Sequence, residues 1–257
     1  YPRLPGALAC DLLVVGGGYA GLWTALHAVE RNPGARVLLI EAERVGWAAS
    51  GRNGGFVEAS ITHGDENGRS RWPDEYGRLE QLGLANLDGM QADIEKYGMD
   101  AEWERTGMLT VATEPHQLRW LRVAAEEGEG RLLDEAQIRA EVHSPTYLAG
   151  LFSADDCAIV NPAKLALELA RACREAGVEI FEHTTARRID SGGASIRVHT
   201  DGPALTCRQI VLATNVFPSL LRRNRLYTVP VYDYVLATEP LTEAQLDRIG
   251  WAGRQGI

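Results

Sequence analysis

The sequence predicts an α/β protein, a dinucleotide-binding sheet interrupted by a second, inserted domain, and three observations carry that expectation. The apolar run Leu12-Leu13-Val14-Val15 feeds directly into a G-x-G-x-x-G turn at Gly16, Gly18 and Gly21, which gives strand, phosphate turn and helix in the order that dinucleotide binding requires. A second apolar strand ends on the acid Glu41, about twenty residues downstream, where a carboxylate can accept hydrogen bonds from a ribose. Between about residues 58 and 160 the chain departs into different elements, and then it resumes strands of the first kind.

Taken in order, the first helix starts straight after the turn, with Leu22, Ala25, Leu26 and Val29 at helical spacing. Gly16 permits the tight turn, Gly18 lets a pyrophosphate approach the backbone, and Gly21 lets helix and strand pack closely. Arg36 to Ile40 reads as the second strand. Leu79, Leu82, Leu84, Leu87, Met90 and Ile94 predict a long amphipathic helix over 74–96, with Pro73 just ahead of its first turn. Residues 101–113 alternate around Gly107 and suggest two strand pieces, followed by helices over 115–127 and 134–141. Short strands over 148–153 and 157–160, flanked by Ser144-Pro145 and Asn161-Pro162, are expected to complete one further sheet. Pro162 suits the first turn of a helix that runs toward Gly177, and Val178 to Phe181 reads as a third strand of the nucleotide sheet. Strands over 196–200 and 209–213 follow, and Val229 to Ala237 reads as a sheet strand that leaves the nucleotide domain again.

Composition narrows the function classes. A net charge of −9 argues against a nucleic-acid surface, which needs clustered cations; the longest basic cluster, Arg222-Arg223-Asn224-Arg225, reads as a solvated helix end. Cys10, Cys157, Cys173 and Cys207 form no C-x-x-C pair, so neither a zinc knot nor a disulfide framework is expected, and a reducing, cytoplasmic setting follows. No apolar run approaches a membrane span. The histidines at 63, 116, 143, 183 and 199 show no ligand spacing, so no metal is expected. Asp155-Asp156 reads as turn chemistry rather than a catalytic carboxylate pair, and no Ser/His/Asp triad can be argued.

Residues 44–57 hold four glycines with Ser50, Arg52 and Asn53. Such a loop exposes backbone donors and one cation, which suits wrapping a polar ring system or a pyrophosphate. Among the tryptophans Trp47 is the one placed at this nucleotide loop. The glycine turn by itself does not separate a nicotinamide from a flavin cofactor, so an NAD-dependent dehydrogenase stands as an alternative.

Together, VVGGGYAGLWTALHA, LLIEAERVGWAASGRNGGF, the helix opened by Val160-Asn161-Pro162, and Ile210-Val211-Leu212-Ala213-Thr214-Asn215 closely resemble a known group. These motifs are similar to those of the FAD-dependent amine and amino-acid oxidases of the D-amino-acid oxidase, sarcosine oxidase and glycine oxidase group. The loop Ser50 to Gly55 is especially similar to that of gamma-glutamylputrescine oxidase-like members. The resemblance implies a Rossmann-like FAD-binding domain with an inserted mixed-sheet substrate domain. It implies a pyrophosphate site at Gly16, Gly18 and Gly21, a ribose contact at Glu41, and flavin-facing backbone at Ser50, Gly51, Arg52, Asn53, Gly54 and Gly55. It further places Ala186 against the adenine and Ala213 and Thr214 beside the pyrophosphate, with Tyr19, Ala20, Ala42 and Ala49 completing the cofactor-binding set. From its motif position Arg52 is expected to stabilise negative charge on the reduced flavin.

The implied domain plan is a FAD-binding domain over 1–57 and 160–228, and a substrate domain over 58–159 that resumes over 229–257. Members of the group run well beyond this length, so the resemblance implies an incomplete substrate domain, truncated at the C-terminus. The implied activity is oxidation of the C–N bond of a small amine or amino acid to an imine, with dioxygen as acceptor and hydrogen peroxide as product. No catalytic residue is assigned. A non-catalytic flavin-binding or apo fragment of such an enzyme is the alternative from a different class.

Overall fold

The structure, a computed structural model, describes residues 1–257 apart from the side chain of Arg222. In chain order the helices and strands begin with β1 (Leu8–Val15), α1 (Tyr19–Arg31), β2 (Val37–Ile40), β3 (Phe56–Glu58), α2 (Asp65–Arg71) and α3 (Tyr76–Lys96). They continue with β4 (Met108–Ala112), α4 (Leu118–Glu126), β5 (Arg131–Leu133), α5 (Glu135–Glu141), β6 (Ala149–Ser153) and β7 (Cys157–Ile159). The last are α6 (Pro162–Glu175), β8 (Glu179–Phe181), β9 (Ala186–Asp190), β10 (Ile196–Thr200), β11 (Leu205–Leu212) and α7 (Glu243–Ile249).

The chain divides into two units. The first comprises Tyr1–Gly54, Tyr97–Ala101 and Pro162–Val235, and the second Gly55–Lys96, Glu102–Asn161 and Leu236–Ile257.

The first unit is built on a six-stranded sheet of order β8-β2-β1-β11-β10-β9. β8, β2, β1 and β11 run parallel; β10 pairs antiparallel to β11, and β9 pairs antiparallel to β10 and so regains the direction of the parallel set. β1 lies between two parallel neighbours, so Leu13, Val14 and Val15 are all buried, and a continuous apolar run is what such a strand requires. On one face pack Leu13, Val15, Leu38, Ile40, Phe181, Val198 and Leu205. Helix α1 buries Gly21, Leu22, Ala25, Leu26 and Val29, a stripe at helical spacing, and packs against α6, which buries Leu165, Ala166, Leu169, Ala170 and Cys173.

The second unit holds two small antiparallel sheets, β3-β7 and β4-β6-β5. Helix α3 rests on β3 with Leu87 buried among Ala59, Ala158 and Trp103. The closing residues return beside β4, where Leu109 N–H donates to the Gly256 carbonyl at 2.7 Å.

Several elements differ from the sequence expectation. The 101–113 stretch supplies a single strand, β4; in its first part only Glu104 pairs, in an isolated bridge with Ile159. β6 and β7 belong to separate sheets rather than completing one together. The helix expected from residue 74 starts at Tyr76, and α2 precedes it. Val229 to Ala237 forms no strand: Val229, Val231 and Tyr234 are 81%, 85% and 96% exposed, and no neighbouring strand offers a hydrogen-bonded ladder. An alternating apolar segment becomes a strand only when it is paired. In the basic cluster, Arg222 opens a single 3-10 turn with Arg223 and Asn224, Arg223 and Arg225 are exposed, and the Arg222 side chain lies outside the described residues.

Candidate functional site

Parallel pairing fixes where a site can form. The register couples Val15 to both Ile40 and Leu212, and Ile40 to Phe181, so four strands end at one level. The loops that leave them, from Gly16, Glu41, Glu182 and Ala213, therefore gather outside the carboxyl edge of the sheet, the usual binding position in such folds. Backbone bonds lock them together: Gly16 N–H donates to the Ile40 carbonyl (2.8 Å), Glu41 N–H to Phe181 (2.9 Å), Ala213 N–H to Val15 (2.8 Å) and Thr184 N–H to Glu41 (2.9 Å).

A cleft of about 450 Å³ opens among these loops. Its walls come from Gly16 to Gly18, Glu41 and Ala42, Gly46 to Ser50, Thr184 to Arg187, and Ala213 to Asn215 with Phe217. The glycine turn has no room for side chains. Gly16 sits at φ +114°, and a Cβ there would lie 2.4 Å from the Ala213 carbonyl oxygen. A Cβ on Gly18 would lie 2.8 Å from Ser50 Oγ, and one on Gly21 would lie 1.9 Å from the Gly16 carbonyl oxygen.

Glu41 is the buried charge of the site, with 8% of its surface exposed. Its Oε2 accepts from Gly17 N–H at 2.7 Å, and its Oε1 accepts from Glu43 N–H at 2.9 Å and from the Trp47 indole N–H at 3.1 Å. These three donors offset the loss of hydration that burial imposes on the group. The carboxylate therefore braces the glycine turn from below. Ser50 does the same from the side, its Oγ accepting from Tyr19 N–H at 3.1 Å at the start of α1. The remaining first-turn amides of α1 form the positive end of the helix, where an anion is favoured.

Nine of the residues anticipated from sequence line the cleft: Gly16, Gly18, Glu41, Ala42, Ala49, Ser50, Ala186, Ala213 and Thr214. Tyr19, Ala20 and Gly21 stand behind them in the first turn of α1, with the Tyr19 hydroxyl donating to the Pro162 carbonyl at 2.8 Å. Gly51, Arg52, Asn53 and Gly54 follow in the next turn, outside the cleft wall, and Gly55 opens the second unit. Asn53 donates to the Ala49 and Ser50 carbonyls, both at 3.0 Å, and the Arg52 guanidinium lies 5.8 Å from the centre of the Trp47 ring. The sequence expectation did not include Gly17, Thr184, Thr185, Asn215 and Phe217, which also line the cleft. The signal available for them was positional, since each lies within a few residues of the end of a parallel strand.

The four cysteines are unpaired and buried. Burial pushes the thiols of Cys10 and Cys173 up to about 12 and that of Cys157 up to about 11, and raises Cys207 as well. A raised thiol stays protonated until pH climbs to the folded-state value, so none is a nucleophile near neutrality. The expected result is no fast reaction of the native protein with a disulfide thiol reagent at pH 8, and reaction of all four cysteines once it is unfolded in guanidinium. A rapidly modified native thiol would contradict this. Among the described residues no group of three or more His, Cys, Asp or Glu side chains is gathered to hold a metal. Among the described residues, too, no helix is long and apolar enough to cross a membrane.

Comparison with known proteins adds the chemical context. The profile of the family described as FAD dependent oxidoreductase (DAO) matches residues 11–255. A probable oxidoreductase OrdL of Haemophilus influenzae is 29% identical over 262 residues, an alignment covering 97% of this chain and 60% of that protein. The gamma-glutamylputrescine oxidoreductase of Escherichia coli is 31% identical over 258 residues, with 95% of this chain and 58% of that protein covered. Among solved structures, glycine oxidase from Geobacillus kaustophilus superposes with a TM-score of 0.68 at 22% identity, covering 81% of this chain and 56% of that one. The chain thus spans about 60% of the length of the curated relatives it matches.

Proposed function

This chain belongs to the family of FAD-dependent oxidoreductases, and from that premise we propose that its protein oxidises the C–N bond of a small amine or amino acid. The residues present fit the cofactor of the family. The cleft has a glycine cradle that Cβ atoms would fill, a helix N-terminus behind it, and a buried carboxylate beside it. Those are the requirements of a pyrophosphate and its adjoining ribose.

In this reading Gly16, Gly18 and Gly21 seat the pyrophosphate, with Tyr19, Ala20, Ala213 and Thr214 beside it. Glu41 receives a ribose hydroxyl, and Ala42 and Ala186 border the adenosine. Ala49 and Ser50 through Gly55 run toward the flavin, where Arg52 is the cation available to charge on the reduced ring. The first unit is accordingly the FAD-binding domain and the second the substrate domain. When bound, FAD supplies an acceptor for a hydride equivalent from the carbon next to nitrogen. The protein's own residues hold it by its phosphates and ribose and supply fixed donors. The product imine then hydrolyses in water, and dioxygen is the proposed final acceptor, leaving as hydrogen peroxide.

The observation that carries the reading is the Gly17–Glu41–Trp47 arrangement, a buried carboxylate fixed directly under the glycine turn. The test is to add FAD to the purified protein, record its visible spectrum, and then assay peroxide release with amines, amino acids and 2-hydroxy acids. Retained flavin bands with peroxide formed from an amine support the proposal. Retained flavin with turnover of a 2-hydroxy acid alone moves the chemistry to a C–O bond, and binding of NADH without FAD overturns the cofactor assignment.

A further inference from the structure

We infer that Trp47 is a positioning residue of the cofactor cleft: its indole N–H holds the Glu41 carboxylate so that Oε2 stays open to the ribose of the adenosine half. The inference rests on the FAD reading above and adds to it a residue that the expected cofactor-binding set did not include. Glu41 Oε1 receives two N–H groups, from Glu43 at 2.9 Å and from Trp47 at 3.1 Å, which saturates its lone pairs. Oε2 receives one, from Gly17 at 2.7 Å, and keeps one acceptor position. The indole thus joins the Glu43 and Gly17 N–H groups in fixing which carboxylate oxygen is committed to the protein and which keeps an acceptor position for a ligand.

Trp47 is itself held in place. Its ring lies 5.9 Å from that of Phe217, inclined by 30°, and the Arg52 guanidinium sits 5.8 Å from its centre. One residue earlier the chain turns at Gly46, φ +68°, whose N–H donates to the Gly17 carbonyl at 3.0 Å. The loop after β2 is thus tied to the glycine turn twice, once by backbone and once through Trp47 and Glu41. Trp47 and Phe217 both line the cleft, so the pair also joins the β2 loop to the segment after β11. A tryptophan placed only for bulk has no need of an N–H bonded to a buried carboxylate; here that bond is the one side-chain donor among the three that hold the carboxylate's rotation.

The test is a double-mutant cycle read by calorimetric titration of the apoprotein with FAD, ADP and FMN. Trp47→Phe keeps an aromatic ring and removes the donor. It is expected to weaken FAD and ADP by about five- to tenfold, in line with loss of a hydrogen bond to a charged group, and to leave FMN unchanged. In a Glu41→Ala background, which leaves the indole no side-chain acceptor, the same substitution is expected to change affinity less than about twofold, because the indole acts through the carboxylate. Where Trp47→Phe does not fold, benzothienylalanine at this position keeps the bicyclic shape and deletes only the N–H. An unchanged ADP affinity, an equal loss in the Glu41→Ala background, or an equal loss for FMN each overturns the inference. Wild-type protein that binds no FAD overturns the cofactor reading with it, an outcome distinct from the other three.

Discussion

Gly16→Ala is expected to weaken FAD binding by at least about 100-fold, roughly 2.7 kcal/mol, while Gly34→Ala leaves it unchanged. Two costs combine at Gly16. Its φ of +114° lies where an L side chain is strained, for about 1–3 kcal/mol. Its new Cβ would also stand 2.4 Å from the Ala213 carbonyl oxygen and 2.9 Å from the Ala213 carbonyl carbon. Neither is a flexible group. Ala213 is tied by its own N–H to the Val15 carbonyl at 2.8 Å, so relief requires β1 and β11 to separate at their carboxyl ends. Those ends carry Thr214 and the glycine turn, and the cleft opens on the side where a pyrophosphate would lie. At Gly34 a Cβ meets nothing within 4 Å and φ is not in the positive range. Titration of the apoproteins with FAD checks the pair, and a Gly16→Ala protein within about threefold of wild type would remove the cradle from the argument.

The glycine cradle was legible because its requirements are local. A turn that excludes Cβ atoms must be written in glycines, and a central parallel strand must be written in continuous apolar residues, so Leu12 to Gly21 state their own geometry. The acid that closes β2 was legible for the same reason. What the sequence does not state is the use made of that acid inside the protein. The Trp47 bond to Glu41 depends on a rotamer and on the path of the intervening loop, which no spacing rule encodes. Thr184 and Thr185 entered the cleft because β8 pairs with β2, a contact between segments far apart in the chain.

The same division runs through the fold. Helices α1, α3 and α6 carry enough turns for their apolar stripe to declare itself, and all three lie close to the expected positions. Strands β3, β5 and β7 are three residues each, too short for an alternation to be distinguished from chance. Their assignment to sheets is a matter of partners, and for this reason β6 and β7 were expected in one sheet and occur in two. Val229 to Ala237 shows the converse error, a good strand pattern with no strand to pair it.

Helix α3 separates steric from intrinsic effects most sharply, since two glycines in it are expected to respond to the same substitution with opposite signs. Gly83 is buried where the helix crosses the residues after β3, and a Cβ there would fall 1.5 Å from the Ala59 carbonyl oxygen and 2.7 Å from the Ala59 carbonyl carbon. The clash is with backbone, so helix and strand must move apart and lose the packing of Leu87 against Ala59 and Ala158. Overpacking of this kind costs about 3 kcal/mol or more, which lowers the melting temperature by roughly 6–12 °C. Gly89 lies less than two turns on, with nothing within 4 Å of its notional Cβ. There the alanine gains about 0.5–1 kcal/mol from helix propensity and from a less free unfolded chain, raising the melting temperature by roughly 1–4 °C. Both substitutions carry the same propensity gain, so the difference between them is the steric term alone. Calorimetric melting of the two variants decides it: if Gly83→Ala melts at or above wild type, the close crossing of α3 over Ala59 does not exist in solution.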